Sequence, residues 1–188
     1  KFDGEPSPQF DGTLKPYLPH PNKVSKFYET GTTVANTVAF SGGGDKGSFR
    51  VSYANTLANA VMPNSSFNKN ILNAGVTHNI SPKLMLQLNA NYAKEKNTNP
   101  PQFSVESFSP NTTLYLLSNS IDVDWVKNYY QDENGIEAQV SRFPEWSNPY
   151  WVVNKRFENI KRDRIIGNVS LRYQIADWLY LQGRYGQD

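Results

Sequence analysis

Few residues of this chain have the type and spacing that chemistry requires. Its two histidines, His20 and His78, are far apart, and neither sits in a nucleophile–base pattern. There is no cysteine, which removes disulfides and thiolate chemistry. Asp122 and Asp124 come nearest to a pair of carboxylates, but on a helix an i, i+2 spacing sends them to different faces. Gly42-Gly43-Gly44-Asp45-Lys46 has the composition of a phosphate loop. That motif needs Gly-Lys-Ser/Thr opening a helix, and here Lys46 precedes Gly47 and a strand follows. Asp132-Glu133-Asn134-Gly135 lacks the alternating ligands and distal Glu of a calcium loop. Asn-x-Ser/Thr triplets occur at Asn64, Asn111 and Asn168, the last within an expected strand. The expectation is a protein that is not an enzyme and holds no metal or cofactor.

Two groups of residues have binding character instead. Trp125, Tyr129, Tyr130, Trp146, Tyr150 and Trp151 crowd into one long connection. Aromatic faces can stack on sugar rings or anchor a peptide or a partner protein. A long ordered loop also needs a small core of its own, and the same six side chains would supply it. The second group is polar and alternates along strands: Arg50, Gln87, Asn89, Asn91, Asn168, Arg172, Gln182 and Arg184.

The positioning elements are read from period-2 alternation. It is clearest near the end of the chain. Ile165, Gly167, Val169, Leu171, Tyr173 and Ile175 point one way. Asn168, Ser170, Arg172 and Gln174 point the other, with Ile166 the one apolar residue among them. After a turn at Ala176-Asp177, Leu179, Leu181, Gly183 and Tyr185 alternate with Tyr180, Gln182 and Arg184. Earlier strands are expected at 32–41, 48–56, 70–80 and 84–95. In the first of them Asn36 shares the face of Val34, Val38 and Phe40, and His78 shares the apolar parity of the third. Residues 1–30 are expected to be loop, because Pro6, Pro8, Pro16, Pro19 and Pro21 interrupt any regular element. Residues 96–161 form the long connection. Short helices are expected in it near 113–119 and over 122–130, the second capped by Asp122.

Bulk properties agree with a β protein of the cell envelope. Hydrophobic content is 38%, aromatic content 13% and mean hydropathy −0.63. A transmembrane β-barrel is polar on average because only alternate residues meet lipid. The net charge of +2 comes without a basic block, which argues against nucleic acid as a partner. No apolar run is long enough for a transmembrane helix. No signal peptide is recognised at Lys1, and the abrupt ends read as those of a segment of something longer.

Connection lengths decide between architectures. The six strands are joined by a short turn at 42–47, a longer loop at 57–67, a short turn at 81–83, the very long 96–161, and a two-residue turn at 176–177. Alternation of tight and long connections is the habit of outer-membrane barrels, with short periplasmic turns and long extracellular loops. Strands of about ten residues suit a tilted crossing. Tyr92, Tyr173, Tyr185 and Trp178 suit interfacial girdles. Six strands cannot close a membrane barrel, because open edges in lipid would leave backbone groups unpaired. Further strands must come from more chain or another chain.

The sequence resembles the SusC/RagA-like TonB-dependent outer-membrane transporters of Bacteroidota. The resemblance spans essentially the whole chain. It is carried by FDG at 2–4, KVSKFYETGTTVANTVAFSGGGDKGSFRVSYANT at 23–56 and VMPNSSFNKN at 61–70. It continues in LNANYAKEKNTNPP at 88–101, NPYW at 148–151 and RDRIIGNVSLRYQIADWLYLQGRYGQD at 162–188. No single piece is diagnostic; their order and spacing together are fairly specific. The resemblance implies an all-β protein, a partial transmembrane antiparallel β-barrel. The chain would supply about six strands of a 22-stranded plugged barrel, roughly strands two to seven, with a long extracellular loop containing short helices. The implied organisation is an extracellular loop at 1–30, four barrel strands in 31–95, the long extracellular loop at 96–161 and two barrel strands in 162–188. It also implies import of glycans or oligopeptides across the outer membrane of a Gram-negative bacterium. The implied partners are a SusD-like surface lipoprotein as lid, outer-membrane lipid, and TonB acting through a plug outside these residues. The eight polar residues named above would then wet the lumen wall and meet the plug. Two alternatives remain: a soluble carbohydrate-binding β-sandwich, and an outer-membrane barrel enzyme with a His/Asp cluster at its rim.

Overall fold

The computed structural model describes residues 3–21, 23–101 and 108–188. Phe2 and parts of the two expected loops, at 1, 2 and 22 and at 102–107, lie outside the described residues. Strand predominates over helix, and the chain forms two compact units.

The first unit comprises Thr33–Ala58, Phe67–Asn97 and Ile160–Asp188. Its elements belong to one antiparallel six-stranded sheet that is not closed into a barrel. The strands are β3 (Thr32–Gly44), β4 (Gly47–Asn59), β5 (Ser66–Ser81), β6 (Leu84–Thr98), β7 (Asn159–Ala176) and β8 (Leu179–Gln187), in sequence order across the sheet. Every expected strand is present, and most are longer than alternation alone indicated. The extra residues are mostly polar or glycine, with Leu57, Phe67 and Ile160 standing singly among them, and such stretches give little period-2 contrast. Gly42, Gly43 and Gly44 lie in the end of β3 and the hairpin turn is Asp45-Lys46 alone, shorter than the expected 42–47; β4 follows it, where a phosphate loop would open a helix. Gly47 has φ +146°, and a Cβ there would collide with the Thr77 carbonyl, so only glycine fits this close approach to β5.

The second unit comprises Lys1–Thr32, Asn59–Ser66 and Thr98–Asn159. It holds a small hairpin, β1 (Pro6–Pro8) with β2 (Leu14–Pro16), and four short helices. These are α1 (Lys23–Phe27), α2 (Pro110–Leu116), α3 (Val123–Asn128) and α4 (Pro149–Lys155). The hairpin and α1 correct the expectation of plain loop over 1–30. Tyr17 donates its N–H to Glu5 and Gln9 donates to Thr13 at the two ends of the ladder. Pro6, Pro8 and Pro16 occupy the alternate positions between, where no N–H is required. In the long connection α2 begins three residues earlier than expected, with Pro110 in its first turn, and α3 is shorter than 122–130. Helix α4 was not anticipated.

All the buried hydrophobic residues belong to this second unit. Phe27, Met62, Leu114, Leu117, Val123, Trp125, Val126, Val140, Tyr150 and Val153 form one cluster. Phe27 meets the edges of Tyr28 and Tyr150 at centroid distances of 5.2 and 5.1 Å. Among the described residues of the sheet unit only Ser170 is buried, and it is polar. The sheet unit therefore has no hydrophobic core of its own.

Candidate functional site

Side-chain contacts reveal how the six strands align. Gly42 lies against Phe49 and Gly43 against Ser48, which sets β3 on β4. Gly47 against His78, with Asn73 Nδ2 donating to Ser52 Oγ at 3.4 Å, sets β4 on β5. Asn91 Nδ2 donates to Asn73 Oδ1 at 2.5 Å and Lys69 pairs with Glu95 at 2.7 Å, setting β5 on β6. Asn89–Asn168 at 3.2 Å and Ser170–Gln87 at 3.2 Å set β6 on β7. The β7–β8 register runs from Gly167 beside Gln187 to Ala176 beside Leu179.

On one face these registers line up an apolar row, Val38, Tyr53, Leu72, Tyr92 and Ile165. The next row toward the long connections is Asn36, Asn55, Asn70, Lys94 and Asp163. A face that is greasy on five neighbouring strands thus turns polar on all five at once. This row accounts for Asn36, the one polar residue among the apolar positions of β3. Tyrosines mark the boundary: Tyr53 Oη donates to Asn70 Oδ1 at 2.6 Å and Tyr92 Oη to Asp163 Oδ1 at 2.7 Å. From Ile165 to Ile175 the apolar run of β7 is about 33 Å long at ~3.3 Å per residue, or about 25 Å tall at a tilt of ~40°. Nothing described covers this face. Leu72, Val76, Leu88, Ile165, Leu171 and Leu181 are each between 39% and 66% exposed.

The opposite face carries all eight polar residues expected there. Arg50, Asn89, Asn91 and Asn168 line an open trough of about 920 Å³ together with Asn73 and Ser52. Gln87, on the same face two residues from Asn89, accepts from Ser170 Oγ on β7. Arg172 stands opposite Gln182, and Arg184 opposite Ser170. The guanidinium of Arg172 lies 3.9 Å from the Tyr180 ring centroid and bonds Gln174. The side chains are joined into ladders of neutral amides and hydroxyls, with the arginines at intervals. Asn73, Ser52 and Ser170 complete these ladders; their parity was visible in the sequence, their pairing was not.

The six aromatic residues of the long connection are divided by the structure. Trp125 and Tyr150 are buried in the core of their unit. The Trp125 indole donates to Asp11 Oδ2 at 2.9 Å and stacks on Tyr129 at 5.0 Å, with Lys15 Nζ 5.9 Å from its centroid. Burial, reinforced by the carboxylates of Asp124 and Glu29, pushes the Tyr150 hydroxyl up to about 12. Tyr129 and Tyr130 pack partly buried against the same cluster, and Trp151 is partly buried on α4. Trp146 differs from the others. It packs on Phe143 at 4.5 Å and lines a hollow of about 240 Å³ with Phe10, Leu116, Val140 and Arg142. Those last residues were not singled out from the sequence, because no motif joins positions so far apart in the chain.

Asn148 organises the unit. Its side chain caps α4 by accepting from the N–H groups of Tyr150 and Trp151, and its Nδ2 lies 3.3–3.4 Å from the carbonyls of Val126, Tyr129 and Ala138. Its own N–H donates to Glu137 Oε1 at 2.6 Å. The signal for α4 was present as Asn148-Pro149, a cap followed by proline in the first turn. Asp122 and Asp124 do not diverge as helix spacing suggested. Asp122 is the extended cap of α3, so both carboxylates reach Lys26 Nζ, at 3.7 and 2.7 Å. The hydrogen bond to Asp124 holds the Lys26 ammonium above its usual range and the Asp124 carboxyl below its own. Among the described residues no group of three or more His, Asp or Glu side chains is arranged to hold a metal ion. No family model matches the chain, and no curated protein matches it significantly.

Proposed function

We propose that this chain is part of the wall and outer loops of a plugged outer-membrane β-barrel. The barrel would be a SusC/RagA-like TonB-dependent transporter importing glycans or oligopeptides beneath a SusD-like lipoprotein. The observation that carries the proposal is the uncovered apolar face that one polar row crosses on five strands, with only Val34 and Leu57 apolar in the row beyond it. Fully burying a Leu, Ile or Val side chain is worth about 1.5–3 kcal/mol. A sheet with no core that leaves a whole face of them exposed needs an apolar solvent or a second layer. The soluble β-sandwich requires that second layer to be a sheet, and the described residues form only the two-stranded β1–β2 besides. Lipid meets the need, and a belt about 25 Å tall matches the hydrocarbon thickness expected of an outer-membrane barrel. The amide-lined face then looks into the lumen, where the plug stands, and the long connections are extracellular.

In this proposal transport involves no covalent chemistry. The lumen wall presents neutral amides and spaced arginines, a surface that hydrogen-bonds a sliding polar cargo or the plug without holding either tightly. The test places a charge on each face at the same height. Leu88→Arg in the parent protein loses assembly into outer membranes, at a cost of about 2–4 kcal/mol in the middle of the bilayer. Asn89→Arg, one residue on, assembles normally. Equal tolerance of both substitutions, read by membrane fractionation, would remove the lipid-facing assignment.

A further inference from the structure

Beyond the polar row, the lipid-parity face of the sheet carries an unbalanced cluster of positive charge. The register that places Asn89 beside Asn168 and Gln87 beside Ser170 also brings Arg162 to Glu95, at 3.7 Å. Continued along the same strands, it sets Lys94 beside Asp163 and Lys96 beside Lys161. Lys96 and Lys161 are like charges on directly opposed residues of adjacent strands, an arrangement that is destabilising unless an anion sits between them. All three lysines are exposed, and none has an ion-pair partner among the described residues. The other groups of these two rows are Asn36, Asn55, Asn68 and Asn70, with Val34 and Leu57. The one acid, Asp163, already accepts from Tyr92. In these rows three cations therefore face one carboxylate; a second, Asp188, borders the trough described next but is held by Arg164.

Just below lies a trough on the same face. Its floor is Ala74, Ala90 and Gly167, side by side on three strands, and its walls include Val76, Leu88, Tyr92, Ile165 and Val169. It measures about 920 Å³ and reaches Tyr92 and Asp163 at its polar end. Positive charge directly above an apolar trough is complementary to a molecule with a phosphate and a hydrocarbon tail.

We propose that Lys96 and Lys161, with Lys94 beside them, hold the phosphate of an anionic lipid headgroup in the leaflet on the long-connection side, its hydrocarbon lying in the trough. The assignment rests on the membrane-wall reading given above. A cation at a membrane surface strengthens anionic-lipid binding roughly five-fold, so the opposed pair contributes about 25-fold.

The test uses the parent protein in mild detergent, with dioleoyl phosphatidic acid and dioleoylglycerol as probes and native mass spectrometry as the readout. Phosphatidic acid should be retained in preference to diacylglycerol. Lys96→Gln with Lys161→Gln should lower its retention about 25-fold with no fall in the melting temperature of the lipid-free protein, while Lys96→Arg with Lys161→Arg keeps it. Undiminished retention by the glutamine pair overturns the proposal. So does equal retention of diacylglycerol, which would make the trough sufficient. Displacement by equimolar inorganic phosphate overturns it as well, since the site would then be a simple anion site. In each of these cases the membrane reading stands. A parent protein that stays in solution without detergent would remove both.

Discussion

Asn148 is the residue on which the loop unit depends most. It is fully buried, it caps α4, and its amide serves carbonyls from α3 and from the segment before α4. Asn148→Ala removes the cap and leaves several buried groups without partners, so it should destabilise this unit by about 2–4 kcal/mol. The measurement is denaturant unfolding followed by tryptophan fluorescence. The Lys26–Asp124 pair makes a pH prediction at the same scale. The lowered Asp124 pKa contributes stability that is complete above the ordinary carboxylate value of 3.8 and fades as pH falls through the folded value. The raised Lys26 pKa contributes stability that is complete below 10.5 and is lost as pH rises through the folded value. Docking of α1 on α3 should therefore be unchanged between these limits and loosen outside them. Asp124→Asn should abolish the acid limb of that profile, read as limited proteolysis near α1.

At the scale of elements, the strands were legible and the loop unit was not. Period-2 contrast needs only that one face differ from the other, and β6 shows it from Leu84 to Tyr92 without any knowledge of what surrounds it. The hairpin of β1 and β2 was hidden because prolines suppress a strand reading, and only the ladder reveals that they sit where N–H groups are not used. The aromatic cluster was legible as a group but not in its role. Trp125 and Trp146 look alike in sequence; one is held by Asp11 and Tyr129 in a core and the other opens on a hollow, a difference made by residues more than a hundred positions away in the case of Asp11. The long connection supplies most of a hydrophobic core that it shares with Phe27 and Met62 and that contains no residue of the sheet unit, so removing it should spare the sheet. If the sheet is the proposed barrel wall, replacing residues 99–158 by a short Asn-Gly turn should leave it inserted in the membrane, while uptake of cargo and capture of the proposed lid lipoprotein are lost. Retention of both uptake and lid binding in the shortened protein would show that this connection contributes to neither.

For the whole molecule, two units built from one chain use opposite solutions to the same problem. The loop unit buries its apolar side chains among themselves. The sheet unit buries almost nothing and presents a belt bounded by tyrosines on one face and a ladder of amides on the other. That contrast follows if the two units live in different solvents, water for the first and a bilayer for the second. The most direct measurement is to isolate the parent particle from outer membranes in mild detergent and identify every chain and bound small molecule by mass spectrometry. The account predicts a large detergent-dependent barrel chain containing these residues, travelling with a surface lipoprotein and a glycan or peptide. Recovery of a free, water-soluble protein of 21.3 kDa would contradict it.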